Sequence, residues 1–188
     1  METILVIFSG LPGTGKSMLA TKLARKLRWP LLRIDNIIGD VPENAGIEFW
    51  DSKVAILLGL IETQLELGIS VIADSVFMNK DRNRAQELAR RYQARFRPIY
   101  TFVSDEKVWE ERVRTRSDEL SHKSVATWEQ IQYQRGHFRK WEPETALFID
   151  SLDSFDRNYE AVLNFVMKDH VYLKPLPDLP FIDGKYHA

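Results

Sequence analysis

Gly10-Leu11-Pro12-Gly13-Thr14-Gly15-Lys16-Ser17 is the stretch on which the reading of this 188-residue sequence turns. It fits the pattern G-x-x-x-x-G-K-[ST] at every fixed position. Its glycines let the backbone bend tightly enough for successive N–H groups to point inward at a phosphate. Lys16 adds a mobile positive charge for the outer phosphates of a nucleotide. Ser17 offers a hydroxyl to the magnesium ion that bridges them. The flanks agree with this reading. Ile4-Leu5-Val6-Ile7-Phe8 is an unbroken apolar run, as expected of a strand buried on both faces. Leu19, Leu23 and Leu27 fall four apart with Ala20 and Ala24 beside them, which gives a helix one apolar face. Strand, glycine-rich loop and helix, in that order, make Gly10, Leu11, Pro12, Gly13, Thr14, Gly15, Lys16 and Ser17 the expected binding residues for ATP, with Mg2+ as the accompanying ion.

Outward from the loop, strand and helix patterns alternate. Leu31-Leu32-Arg33-Ile34 reads as a second strand with Asp35 at its end. Trp50, Val54, Leu57, Leu58, Ile61 and Leu65 recur at helical spacing between about residues 48 and 67, and Gly68 can take the left-handed conformation that ends a helix. Residues 69–73, closed by Asp74, form a third strand. Ala85, Leu88, Ala89 and Tyr92 mark the next helix, and residues 98–103 a fourth strand. Asp105 and Glu106 open a helix running to about Arg116. The polar, aperiodic segment 117–125 reads as a mobile lid. Thr127 with Gln130 predicts a capping box for the helix after it. Residues 146–149 are the fifth strand and 155–167 the last helix. The sequence therefore predicts an α/β, P-loop NTPase-type three-layer fold: a five-stranded parallel sheet with helices on both faces and a small lid. Residues 1–170 form one domain in this reading. Residues 171–188 form a proline-rich extended tail in which Tyr172, Leu173 and Phe181 pack on the domain or on a partner.

Composition narrows the function classes. Apolar residues make up 44% and charged residues 28%, values of an ordinary globular protein. The formal net charge of -1 gives no whole-molecule field toward nucleic acid or an anionic membrane. Without cysteine there is no disulfide, thiolate–zinc site or thiol nucleophile. The longest apolar run, residues 54–61, is too short to span a bilayer, and Met1-Glu2-Thr3 lacks the basic start of a signal peptide. A cytoplasmic location without membrane attachment is the expectation. The oligomeric state is not legible.

Ligands of open parallel sheets bind beyond the carboxyl ends of the strands, where the loop, Asp35 and Asp74 all fall. Asp35 is the candidate general base for a hydroxyl that attacks a γ-phosphate, and Asp40 is a weaker competitor. Asp74 closes an apolar strand in the manner of a carboxylate that holds magnesium beside Ser17. Arg112 and Arg116, four apart on one helix face, are candidate cations for the transferring phosphoryl group, with Lys123 from the lid. Arg84, Arg91 and Arg95 form a basic stripe by their spacing, read as a solvated face before a polyanion site. The four histidines show no metal-ligand spacing.

These residues resemble the P-loop kinases of the small-molecule and polynucleotide kinase type, from about Met1 to Ile149. The resemblance rests on the phosphate loop, on Ile34-Asp35-Asn36-Ile37-Ile38 followed by Pro42, on Gly46-Ile47-Glu48-Phe49, and on Val71-Ile72-Ala73-Asp74-Ser75-Val76-Phe77. It implies that Asp35 takes the acceptor's proton, that Lys16 and Ser17 hold ATP with magnesium, and that Arg112 or Arg116 is a lid arginine. Polynucleotide kinases typically follow the post-strand aspartate with an arginine that grips substrate phosphate. Ile37 and Ile38 stand there in this sequence, which favours a less charged acceptor. The expected activity is transfer of the ATP γ-phosphate to a hydroxyl of a small molecule. A polynucleotide 5′-hydroxyl kinase and an ATP-dependent switch with slow hydrolysis are the alternatives.

Overall fold

Both parities of the first strand are apolar, so both of its faces must be covered. The computed structural model describes residues 2–38, 50–119 and 126–177, and in it Ile4–Ser9 (β1) is buried along its whole length. Leu5 and Ile7 enter one core, and Ile4, Val6 and Phe8 enter the other. Lys16–Leu27 (α1) follows the loop, and Leu31–Arg33 (β2) and Ile34–Ile38 (α2) come next. Trp50–Glu66 (α3), Val71–Asp74 (β3), Asn79–Arg91 (α4) and Arg95–Phe102 (β4) continue the chain. Glu106–Glu119 (α5), Trp128–His137 (α6), Leu147–Asp150 (β5) and Phe155–Met167 (α7) complete it. The five strands run in the order β2-β3-β1-β4-β5, and every pairing is parallel. α1 and α7 cover one face through Leu19, Leu23, Val162 and Val166. α3, α4, α5 and α6 cover the other through Leu57, Ile61, Leu88, Val113 and Ile131. This is the three-layer α/β fold that the strand and helix patterns predict.

Several boundaries differ, each for a local reason. β3 begins at Val71 and not at Ile69, because Ile69 completes the cap of α3. Gly68 has φ of 70°, its N–H donates to the Leu65 carbonyl, and the Ile69 N–H donates to the Gln64 carbonyl, the paired bonds of a Schellman end. β4 begins three residues before the expected Pro98. β5 starts to pair only opposite Ile99, so at Pro98 the sheet has no outer neighbour to which a donor would be owed. Arg95 opens this strand, with Nη1 donating to the carbonyls of Lys168 and Asp169. The arginine stripe therefore does not form: Arg84 and Arg91 are exposed on α4, and Gln93, at φ of 52°, turns the chain before Arg95. Ile34, expected to close the second strand, is buried as the first residue of α2, which carries Asp35 in its first turn. α5 runs to Glu119, through the first residues of the expected lid. Residues 120–125, Asp40 and Phe181 lie outside the described residues. The capping box forms as predicted: Thr127 Oγ1 accepts from the Gln130 N–H, and Gln130 Oε1 accepts from the Thr127 N–H. In the tail, Tyr172 is exposed, and it is Leu176 that packs on the core.

A buried cation ties α4 to the segment after α6. Arg82 is 3% exposed and lies between two rings, 4.6 Å from the centroid of Phe138 and 4.5 Å from that of Trp141. Its Nε donates to the Phe77 carbonyl (3.0 Å) and its Nη2 to the Arg139 carbonyl (2.7 Å). Burial pushes the guanidinium down to about 9. Both carbonyl bonds and both ring faces are lost together on truncation. Arg82→Ala is therefore expected to destabilise the fold by about 3 kcal/mol in denaturant unfolding. A loss under 1 kcal/mol would show that the rings close without it.

Candidate active site

The phosphate loop joins β1 to α1 and is held on all sides by packing. Gly10, Gly13 and Gly15 have φ of 141°, 81° and 85°, a region that side chains rarely enter. Two of them also have no room for a side chain. A Cβ at Gly10 would lie 2.3 Å from the Thr101 carbonyl oxygen, and one at Gly13 would lie 2.7 Å from Val113 Cγ2. Hydrogen bonds fix what remains. Thr14 Oγ1 donates to the Leu11 carbonyl (2.8 Å) and meets Thr101 Oγ1 at 2.8 Å. Trp109 Nε1 donates to the Pro12 carbonyl (2.9 Å). Just before the loop, Ser9 Oγ donates to the Val76 carbonyl and accepts from Trp141 Nε1 (2.9 Å).

Lys16 is buried, and its Nζ donates to the Leu11 carbonyl at 2.9 Å. Burial lowers its pKa; the charges of Asp74 and then Asp35 oppose that shift, and Arg116 adds to it. The charges of Asp74, Asp35 and Arg116 thus all act on Lys16. Asp74 stands beside Phe8 of β1 and Arg33 of β2 in the sheet register and is buried. Asp35 is exposed on α2.

The two candidate arginines part company. Arg112 turns to the loop after β5, where Nη1 donates to Ser151 Oγ (2.7 Å) and Nη2 to the Ser151 carbonyl (3.2 Å). That loop lies against the phosphate loop, since a Cβ at Gly15 would sit 3.4 Å from Ser151 Cβ. Arg116, one turn further along α5, is the one in the field of Lys16. Lys123 lies outside the described residues.

Sequence reasoning missed Arg33. Its Nε donates to Asp74 Oδ2 (3.2 Å), and its Nη2 donates to Thr21 Oγ1 (2.7 Å) and to the Ser17 carbonyl (3.3 Å). One guanidinium thus links β2, β3 and the first turns of α1. The available signal was a charged residue inside Leu31-Leu32-Arg33-Ile34, two positions before Asp35. Trp109 and Trp141 were equally illegible, because nothing in their spacing marks an indole N–H for the loop. Ser75, directly after Asp74, has a buried hydroxyl that no described residue satisfies.

Among the described residues no three His, Cys, Asp or Glu side chains gather as a metal cage. Ser17 and Asp74 offer two oxygens at the loop. That donor set fits magnesium, which keeps several waters and takes further oxygens from a nucleotide's phosphates.

A parallel sheet with this strand order, a phosphate loop after the central strand and an acid at the end of the strand beside it define a P-loop nucleoside-triphosphatase fold of the kinase-like kind. Residues 5–141 match the AAA domain family, and the chain belongs to that family. Solved structures share the fold. A candidate kinase from Chloroflexus aurantiacus is 25% identical with a TM-score of 0.68, over 88% of this chain and 95% of that one. The APS kinase CysC of Mycobacterium tuberculosis, solved with AMPPNP and APS, is 17% identical with a TM-score of 0.66, over 89% and 99%. Kti12 of Chaetomium thermophilum, solved with ADP-AlF3, is 18% identical with a TM-score of 0.64, over 87% and 100%. No curated protein sequence matches the chain. Among the described residues no helix is long and apolar enough to cross a membrane.

Two predictions follow from these contacts. Trp109→Phe keeps the ring and removes the bond to Pro12, so nucleotide affinity in calorimetry is expected to fall about threefold to tenfold, the worth of one such bond. An unchanged affinity would mean that the loop is held without the indole N–H. Arg33→Ala should destabilise the fold by about 2 kcal/mol, because it leaves the buried Asp74 carboxylate without its cation. Arg33→Lys should recover only part of this, since an ammonium cannot fork between Asp74 and Thr21.

Proposed function

We propose that this protein is an ATP-dependent phosphotransferase that moves the γ-phosphate to a hydroxyl of a small molecule. The observation that supports the reading is the buried Lys16 held behind the phosphate loop, next to the strand ends where Asp74 closes β3 and Asp35 sits in the first turn of α2, with the charges of both carboxylates favouring the charged lysine. A site for hydrolysis alone needs no second carboxylate on the acceptor side. Loop amides and Lys16 bind the β- and γ-phosphates, with Lys16 leaving the Leu11 carbonyl to do so. Ser17 and Asp74 hold magnesium, which when bound neutralises charge on the phosphates. Asp35 accepts the proton of the attacking hydroxyl as its oxygen bonds to the γ-phosphorus and the bond to the ADP oxygen breaks. Arg116 offsets charge on the transferring group. Arg112 holds Ser151 beside Gly15. Residues 117–125 act as the lid in this reading, and residues 1–170 act as one kinase domain working in the cytoplasm. Among particular kinases the stretches around Asp35 and Asp74 most resemble chloramphenicol phosphotransferase, which puts neutral alcohols among the acceptors to assay.

The deciding experiment separates binding from transfer. Asp35→Asn keeps the shape and cannot take a proton. Its ATP affinity should stay within about threefold, and transfer should fall by roughly 10²–10⁴. Lys16→Ala should abolish tight ATP binding in a protein that remains folded. Asp74→Asn should raise the magnesium concentration needed for activity. Transfer by Asp35→Asn at the wild-type rate would remove the base and leave a nucleotide-dependent switch as the better account.

A further inference from the structure

α1 buries Leu19, Ala20 and Leu23 and turns Met18, Thr21, Lys22 and Arg25 away from the core. With Ser17, Arg33 of β2 and Phe155 of α7, these side chains line an open groove of about 510 Å³. Three observations set it apart from a solvated helix face.

The first is charge. Three cations line the groove and no acid does. Asp156 pairs with Lys22 from the rim at 2.8 Å, and Asp74 holds Arg33 from behind at 3.2 Å. Arg25 makes no ion pair among the described residues. The second is exposed apolar surface. Met18 is 65% and Phe155 37% exposed, so a ligand with a ring or carbon skeleton has surface to cover between them. The third is position. Ser17, a proposed magnesium ligand, stands at one end, and Arg33 touches both Asp74 and the Ser17 carbonyl. From Ser17 to Arg25 the groove follows α1 for two turns, about 12 Å, the length of a sugar phosphate or a nucleotide.

We infer that this groove binds the phosphoryl acceptor, and that the acceptor is a hydroxyl compound already carrying a phosphate group. The inference rests on the phosphotransferase reading above. The acceptor's phosphate lies on Arg25 and Lys22, its skeleton lies between Met18 and Phe155, and its hydroxyl reaches the γ-phosphate past Ser17. The exposed Lys22–Asp156 pair is weak enough to give way to a phosphate, which takes charge-assisted bonds from both cations. The chemistry balances as before. The acceptor oxygen bonds to the γ-phosphorus, the bond to ADP breaks, the proton goes to Asp35, and the acceptor's own phosphate is unchanged. Ile37 and Ile38 after Asp35 leave that stretch without a cation of its own. The fold supplies cations from α1 and β2.

The test uses the full chain saturated with magnesium and ADP, so that the phosphate loop is filled. Calorimetry then compares ribose 5-phosphate with ribose, AMP with adenosine, and a 5′-hydroxyl hexanucleotide. The phosphorylated member of a pair should bind at least tenfold tighter than its parent, without displacing ADP. Arg25→Glu should abolish that difference and leave ADP affinity unchanged. Preference for the small phosphates identifies a free metabolite, and preference for the hexanucleotide identifies a nucleic-acid end; either supports the phosphate site. Equal binding of phosphate and parent, no binding by any probe, displacement of ADP, or a preference that survives Arg25→Glu would overturn it. Loss of transfer in Asp35→Asn tests the kinase reading separately, because the groove's preference is read by binding alone.

Discussion

Gly10 and the Thr101 carbonyl approach so closely that no other residue fits at position 10, and the whole site depends on that approach. It brings the start of the phosphate loop against β4, just as Thr14 reaches Thr101 from the loop's middle. Gly13 makes the corresponding approach to Val113 and Trp109 on α5. The loop amides are thus aimed by a sheet on one side and a helix on the other. A loop of glycines loses more backbone freedom on folding than any other sequence. Here that cost is offset by packing and by the hydrogen bonds of Thr14, Lys16 and Trp109.

The same packing sets the charges of the site. Lys16 lies buried behind the loop with its proton donated to Leu11, and burial works against its charge while Asp74 and Asp35 favour it. A phosphate arriving at the loop gives Lys16 a stronger partner than a carbonyl. Asp74 is likewise already matched, by Arg33. The site thus holds internal partners for both charges, a carbonyl for Lys16 and a guanidinium for Asp74. The arginines that look equivalent on α5 are separated by this geometry: one turn of helix sends Arg112 to Ser151 and leaves Arg116 in the field of Lys16.

Where local chemistry decides structure, reading the sequence succeeds. The apolar run before Gly10, the helix face of Leu19 and Leu23, the cap at Gly68 and the capping box at Thr127 are each fixed by residues within a few positions. The boundaries that moved did so through distant partners. Ile69 left the third strand to finish a helix end, and Arg95 joined the fourth because the carbonyls of Lys168 and Asp169 receive it. The basic stripe failed because it assumed that one helix continues through Gln93.

The sequence by itself determined the order of strands and helices along the chain, the phosphate loop, and the placing of Asp74 at the end of a strand and Asp35 just past one, since periodicity and glycine spacing are local properties of the chain. Only the tertiary structure decided which side chains meet there. Arg33 on Asp74, Trp109 on Pro12, Trp141 on Ser9 and the grouping of Lys22, Arg25 and Arg33 in one groove join residues from different elements. Their pairing follows from the parallel register of the sheet and the seating of α1 and α5 on it. Spacing along the chain carries no trace of such contacts, because a hydrogen bond is set by distance in space and not by separation in sequence.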